Sequence, residues 1–122
     1  MSDFEEKQAE IEANGALFEV DGEPYTLRYN IKKMEQVESI LGVSLISQMQ
    51  QGTGMLPIST LRALFTVGLT HTADKSDLGA YKKVTGKKAT DLFDTLIHQN
   101  GYMDITQIVI GKFQEDMGFL FR

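Results

Sequence analysis

Near Asn30 the apolar residues change period, and that change reads as a β-hairpin followed by helices. Before it, Ala16-Leu17-Phe18-Glu19-Val20 and Tyr25-Thr26-Leu27-Arg28-Tyr29 are rich in aromatic and branched residues with partial alternation. Asp21-Gly22-Glu23-Pro24 lies between them and carries the strongest short turn signal of the chain, so the stretch reads as a hairpin. Two strands alone are marginal in water, and one face must pack on something else.

After Asn30 the spacing is that of amphipathic helices. Asn30 is placed to cap a helix in which Ile31, Met34, Val37 and Leu41 share a side, and Gly42 ends it. Ser44 caps a short second helix with Leu45, Ile46 and Met49 apolar. Ser59 caps a third, whose stripe is Leu61, Leu64, Phe65, Gly68 and Leu69. A weaker fourth is expected over 76–84, a fifth around Ala89, Leu92, Phe93, Leu96 and Ile97 up to Asn100-Gly101. A last amphipathic segment, about 104–117, aligns Ile105, Ile108, Val109, Phe113 and Met117. The expected fold class is therefore α+β, mostly α: an N-terminal hairpin and a cluster of about five helices. Residues 1–14 read as an acidic arm or frayed helix, and 15–122 as one globular domain, hairpin 16–30 and helical 31–122.

Composition narrows the function classes. Of 122 residues 42% are hydrophobic and 24% charged, the balance of a soluble globular chain. No apolar run approaches the roughly 20 residues that cross a bilayer, so no membrane role is expected. The start, Met1-Ser2-Asp3-Phe4-Glu5-Glu6, lacks the basic-then-apolar layout of a signal peptide, which points to the cytoplasm. With no cysteine there is no thiol nucleophile, disulfide or thiolate metal site. A net charge of -5 disfavours nucleic acid as the main ligand. The one opposing feature is the run of Lys75, Lys82, Lys83, Lys87 and Lys88, which reads as a solvated helix and loop surface.

Catalytic patterns are weak. His71 with Asp74 makes at most half of a metal site and reads as a helix-end histidine beside a capping aspartate. His98 suits a helix C-terminus. The pairs Glu35/Glu38 and Asp91/Asp94 belong on solvated helix faces, without the dry setting that would separate their pKa values. Gly52-Thr53-Gly54 lacks the rest of a dinucleotide fingerprint. Thr85-Gly86-Lys87-Lys88 resembles the end of a phosphate loop but has Tyr81 where the motif needs glycine. The expectation is a non-enzymatic protein with no cofactor, no catalytic residue and no metal.

What remains is apolar surface. Methionine adapts to varied apolar partners, and Met49, Met55 and Met103 lie at expected helix ends or in loops. Phe119-Leu120-Phe121 sets three large apolar side chains in the last residues, to dock back or to meet a partner. Met49, Met55, Leu56, Phe119, Leu120 and Phe121 are the candidate contact residues.

The order of signals also matches a known pattern. Gly22-Glu23-Pro24-Tyr25-Thr26-Leu27-Arg28-Tyr29 leads into Met34-Glu35-Gln36-Val37-Glu38-Ser39-Ile40-Leu41-Gly42-Val43-Ser44-Leu45, then Ser59-Thr60-Leu61-Arg62-Ala63-Leu64-Phe65-Thr66-Val67-Gly68-Leu69. This resembles the tail assembly chaperones of long-tailed bacteriophages and prophages, with the match carried by residues 16–70. The resemblance implies a holdase that keeps the long, helical tape-measure protein soluble in the host cytoplasm, is displaced by tail tube subunits, and is absent from the mature virion. It also implies several copies per partner, with self-association a further possibility, and a shorter and a longer product in many relatives. The alternatives are a structural tail-completion or head–tail joining protein, which predicts mostly strand, and a small adaptor outside phage biology that binds DNA through the 75–88 lysines.

Overall fold

The computed structural model describes residues 16–50, 55–75 and 81–121. In chain order the elements are β1 (Phe18–Val20), β2 (Glu23–Leu27), α1 (Ile31–Leu41), α2 (Leu45–Gln50), α3 (Ile58–Gly68), β3 (Leu69–Lys75), β4 (Tyr81–Lys83) and α4 (Gly86–Met117), closed by a 3-10 turn at Gly118–Phe121. The architecture is mostly helical with one antiparallel sheet in the order β1-β2-β3-β4.

The hairpin forms where expected. Phe18 pairs with Tyr25 and Val20 with Glu23, and the turn uses positive φ at Asp21 (52°) and Gly22 (81°), the geometry that twists in step with its strands. Asn30 caps α1, its side chain accepting from the Lys33 amide at 2.8 Å, and Gly42 closes the helix with φ 71°. Ser44 accepts from the Ser47 amide at 3.2 Å at the start of α2.

Three expectations are corrected. First, the described residues hold four helical elements rather than about five, the last of them broken at Gly101, and the weak helix over 76–84 is not one: Tyr81–Lys83 is a strand, with 76–80 outside the described residues. Second, Leu69 is not the last residue of the third helix stripe but opens β3, pairing with Leu27. His71 consequently sits within a strand, opposite Tyr25, and not at a helix end. Third, α3 starts at Ile58 behind Pro57, which makes no side-chain capping bond, and Ser59 lies inside the helix instead of capping it. The arm expected over 1–14 falls outside the described residues.

The helical crossover α1–α3 thus connects two strands that are direct neighbours. It folds back so that α3 packs against α1 and α4. The ring of Phe65 on α3 lies 5.7 Å from Phe18 and 5.5 Å from Phe93, joining hairpin, central helix and α4. Phe65, Phe93, Phe113, Leu27, Leu61, Leu64 and Val109 are all fully buried. Each such side chain stabilises the fold by about 1.5–3 kcal/mol relative to exposure. Ile31 breaks the expected pattern, standing 52% exposed. It is the first residue of α1, one turn ahead of buried Met34.

Within α4 the chain is not continuously helical. Gly101 has φ 84° and ψ 168°, a region only glycine occupies readily, so the element is two helices meeting at a break. The expected stop at Asn100-Gly101 corresponds to that break. No helix is long and apolar enough to cross a membrane among the described residues.

Candidate partner surface

The second half of α4 is fixed at both ends by polar bonds to distant parts of the chain. At its start the Tyr102 hydroxyl donates to the Leu56 carbonyl at 2.6 Å and accepts from the Leu56 amide at 2.7 Å. At its end the Asp116 carboxylate accepts from the Tyr29 amide at 2.9 Å and from Lys112 Nζ at 2.9 Å. Between these anchors Ile105, Val109 and Phe113 face the core, and Met117 does so just past Asp116.

The opposite face is solvated. Met103, Gln107, Gly111, Gln114 and Gly118 follow one another at helical spacing, the first four exposed and Gly118 half-buried. None is charged, although Asp104, Lys112, Glu115 and Asp116 stand on the same helix. A Cβ placed on Gly111 would have nothing within 4 Å, so the middle of the stripe is open and low. Large apolar side chains stand at its ends: Met103 is 60% exposed and Phe119, just past the helix, 48%. The stripe is roughly 20 Å long, from a rise of about 1.5 Å per residue. The Tyr102–Leu56 bonds bring a second exposed methionine to the same end, Met55 at 64%, and Ile58 beside it is also exposed.

The six candidate contact residues divide accordingly. Met55 and Phe119 are exposed. Leu56 is a correction: at 7% exposure it belongs to the core, drawn in by the Tyr102 clamp on its own backbone. Met49 and Leu120 are partly buried against the core. Met49 is held there because α2 is tied on both sides, the Leu45 amide to Glu38 at 2.8 Å and the Thr60 hydroxyl to Gln48 at 2.8 Å. Phe121 lies in the 3-10 turn, and its side chain is outside the described residues. Gln107, Gly111 and Gln114 belong to no apolar periodicity, so none is among the sequence candidates. The available signal was an uncharged row on the polar side of an amphipathic helix.

Glu38, Asp94 and both histidines have structural partners. His71 Nε2 lies 2.6 Å from Glu23 Oε2, and the imidazole meets the Tyr25 ring edge-on at 5.0 Å, linking β2 to β3. Burial, then Glu23 and Asp21, raise the Tyr25 phenol above its ordinary range. Glu38 holds the start of α2, while Asp94 lies 3.6 Å from Arg62. His98 Nδ1 is 2.8 Å from the Asp94 carbonyl, one turn back on its own helix. No three His, Asp or Glu side chains among the described residues group as metal ligands would. Compared with protein-family models, curated proteins and solved structures, this chain finds no match.

Proposed function

We propose that this chain is a tail assembly chaperone of a tailed bacteriophage, a non-enzymatic holdase that binds the tape-measure protein before the tail tube polymerises around it. The observation that carries the reading is the uncharged stripe on the second half of α4, ending at Met103 and Phe119. A long apolar helix needs a binder that accepts many sequences. Flexible methionine and uncharged glutamine offer contact without a fixed side-chain code, and a central glycine lets another helix approach closely. The helix-in-groove mode uses such a face, read at every third or fourth residue.

A single site of this size binds weakly. Several copies along one long partner add their affinities, and each remains displaceable by tube subunits. A net charge of -5 keeps such a complex soluble in the host cytoplasm. The mostly helical architecture also favours this reading over the tail-completion alternative, for which mostly strand is expected. The test is co-expression with the tape-measure protein encoded beside it. The proposal requires that the partner move from the insoluble to the soluble fraction and co-purify with several copies of this chain. A partner that stays insoluble, with this chain found in purified virions, rejects it.

A further inference from the structure

A two-electron oxidant that meets this chain has few groups to attack. There is no cysteine, so six methionine thioethers are the only sulfur. A thioether takes one oxygen atom from hydrogen peroxide: the O–O bond breaks, an S–O bond forms on a sulfur lone pair, and water leaves. The sulfur loses two electrons, the peroxide gains them, and the product is a sulfoxide. Burial shields a thioether from this reaction, so exposure decides which methionine reacts.

The fold divides the methionines into two classes. Met34 and Met117 belong to the core, at 6% and 1% exposure, and Met49 is partly buried against it. Met55 and Met103 are the exposed pair, and Met1 falls outside the described residues. Although distant in sequence, Met55 and Met103 belong to one place. Tyr102, next to Met103, bonds through its hydroxyl to the amide and the carbonyl of Leu56, next to Met55. Exposed Ile58 extends the same apolar patch.

Oxidation has opposite consequences in the two classes. An oxygen added to Met55 or Met103 stays in water, and the Tyr102 bonds survive because they run through the Leu56 backbone and through neither thioether. An oxygen added to Met34 or Met117 would be a polar atom in the core, costly without a hydrogen-bond partner. Reaction at the surface therefore changes polarity and leaves the fold intact.

We propose that Met55 and Met103 form a peroxide-reactive pair, a reversible modification site at which sulfoxide formation turns the apolar end of the α4 stripe polar. The site stands independently of the chaperone reading, and only its effect on partner capture rests on that reading. Methionine is suited to the position because its flexible apolar side chain becomes polar on oxidation and is restored by a thiol-dependent reductase.

The test is graded hydrogen peroxide treatment of the full chain, then peptide mapping by mass spectrometry, with melting temperatures measured on the same samples. Met55 and Met103 are expected to gain oxygen several-fold faster than Met34 and Met117, and the difference to vanish in guanidinium chloride. The melting temperature is expected to hold until the core methionines react. Methionine sulfoxide reductase with dithiothreitol should return both surface residues to thioethers. Equal rates in the folded chain, a melting temperature that falls with the first oxygen on Met55 or Met103, or a sulfoxide that resists the reductase overturns the proposal. Capture of the tape-measure protein should fall after oxidation of the parent and persist after the same treatment of a chain carrying Met55→Leu and Met103→Leu. Undiminished capture by the oxidised parent overturns the effect on the stripe. Selective oxidation in a chain that captures no partner even before treatment rejects the chaperone reading and leaves the site standing.

Discussion

Tyr29 meets Gly68 at the point where hairpin, central helix and the end of α4 converge. The Tyr29 hydroxyl donates to the Leu64 carbonyl at 2.7 Å, its amide is held by Asp116, and Phe113 meets its ring edge at 5.4 Å. A Cβ on Gly68 would stand 2.8 Å from ring atoms that are thus unable to retreat. Gly68→Ala should cost about 1–3 kcal/mol by overpacking, read as a lower midpoint in chemical denaturation. An unchanged midpoint would mean the ring has room to move. Tyr29 also sets an alkaline limit. Burial, then the Asp116 carboxylate, raise its phenol far above the value of 10.0 it has when exposed. The folded state therefore holds a proton that the unfolded state releases, and the associated stability is intact below pH about 10 and declines as pH rises further. Denaturation midpoints measured from neutral pH upward should fall beyond that point, and fall less steeply in Tyr29→Phe.

At the scale of elements, the break inside α4 has the clearest consequence. Gly101→Ala forces either a strained residue, at about 1–3 kcal/mol, or a straightened helix that pulls Tyr102 from Leu56. Both outcomes should lower the melting temperature, and the second would speed hydrogen exchange at the Leu56 amide. Normal melting and exchange would show the break to be dispensable. The break was legible in the sequence as Asn100-Gly101, as were the hairpin turn, the Asn30 and Gly42 caps, and the stripes of α1, α3 and α4 apart from exposed Ile31 and the strand residue Leu69. These are local signals, carried by a few adjacent residues or one period. β3 was not legible, because Leu69 satisfies both the last position of a helix stripe and the first of a strand, and Thr70-His71-Thr72 carries little apolar content. Its strand character comes from pairing with β2, across a crossover of three helices. β4 depends on β3 in turn. The candidate surface divides the same way: exposed Met55 and Phe119 follow from sequence, whereas burial of Leu56 depends on Tyr102, forty-six positions away.

For the molecule as a whole, the proposed role places the core and the binding face on opposite sides of one helix. The α4 anchors at Tyr102 and Asp116 hold the stripe rigid, so a partner helix would meet a preformed surface and little ordering cost would fall on binding. Gly111 separates stability from function at this face. Its Cβ position is open, and replacing a mid-helix glycine should stabilise the fold by roughly 0.5–1 kcal/mol. A long charged side chain there would nevertheless stand in the path of an approaching helix. The most direct measurement is the amount of soluble tape-measure protein recovered on co-expression with the parent chain and with Gly111→Arg, alongside both melting temperatures. Gly111→Arg is expected to melt at or above the parent yet to recover markedly less soluble partner. Equal recovery by the two chains would contradict a partner-binding stripe on α4.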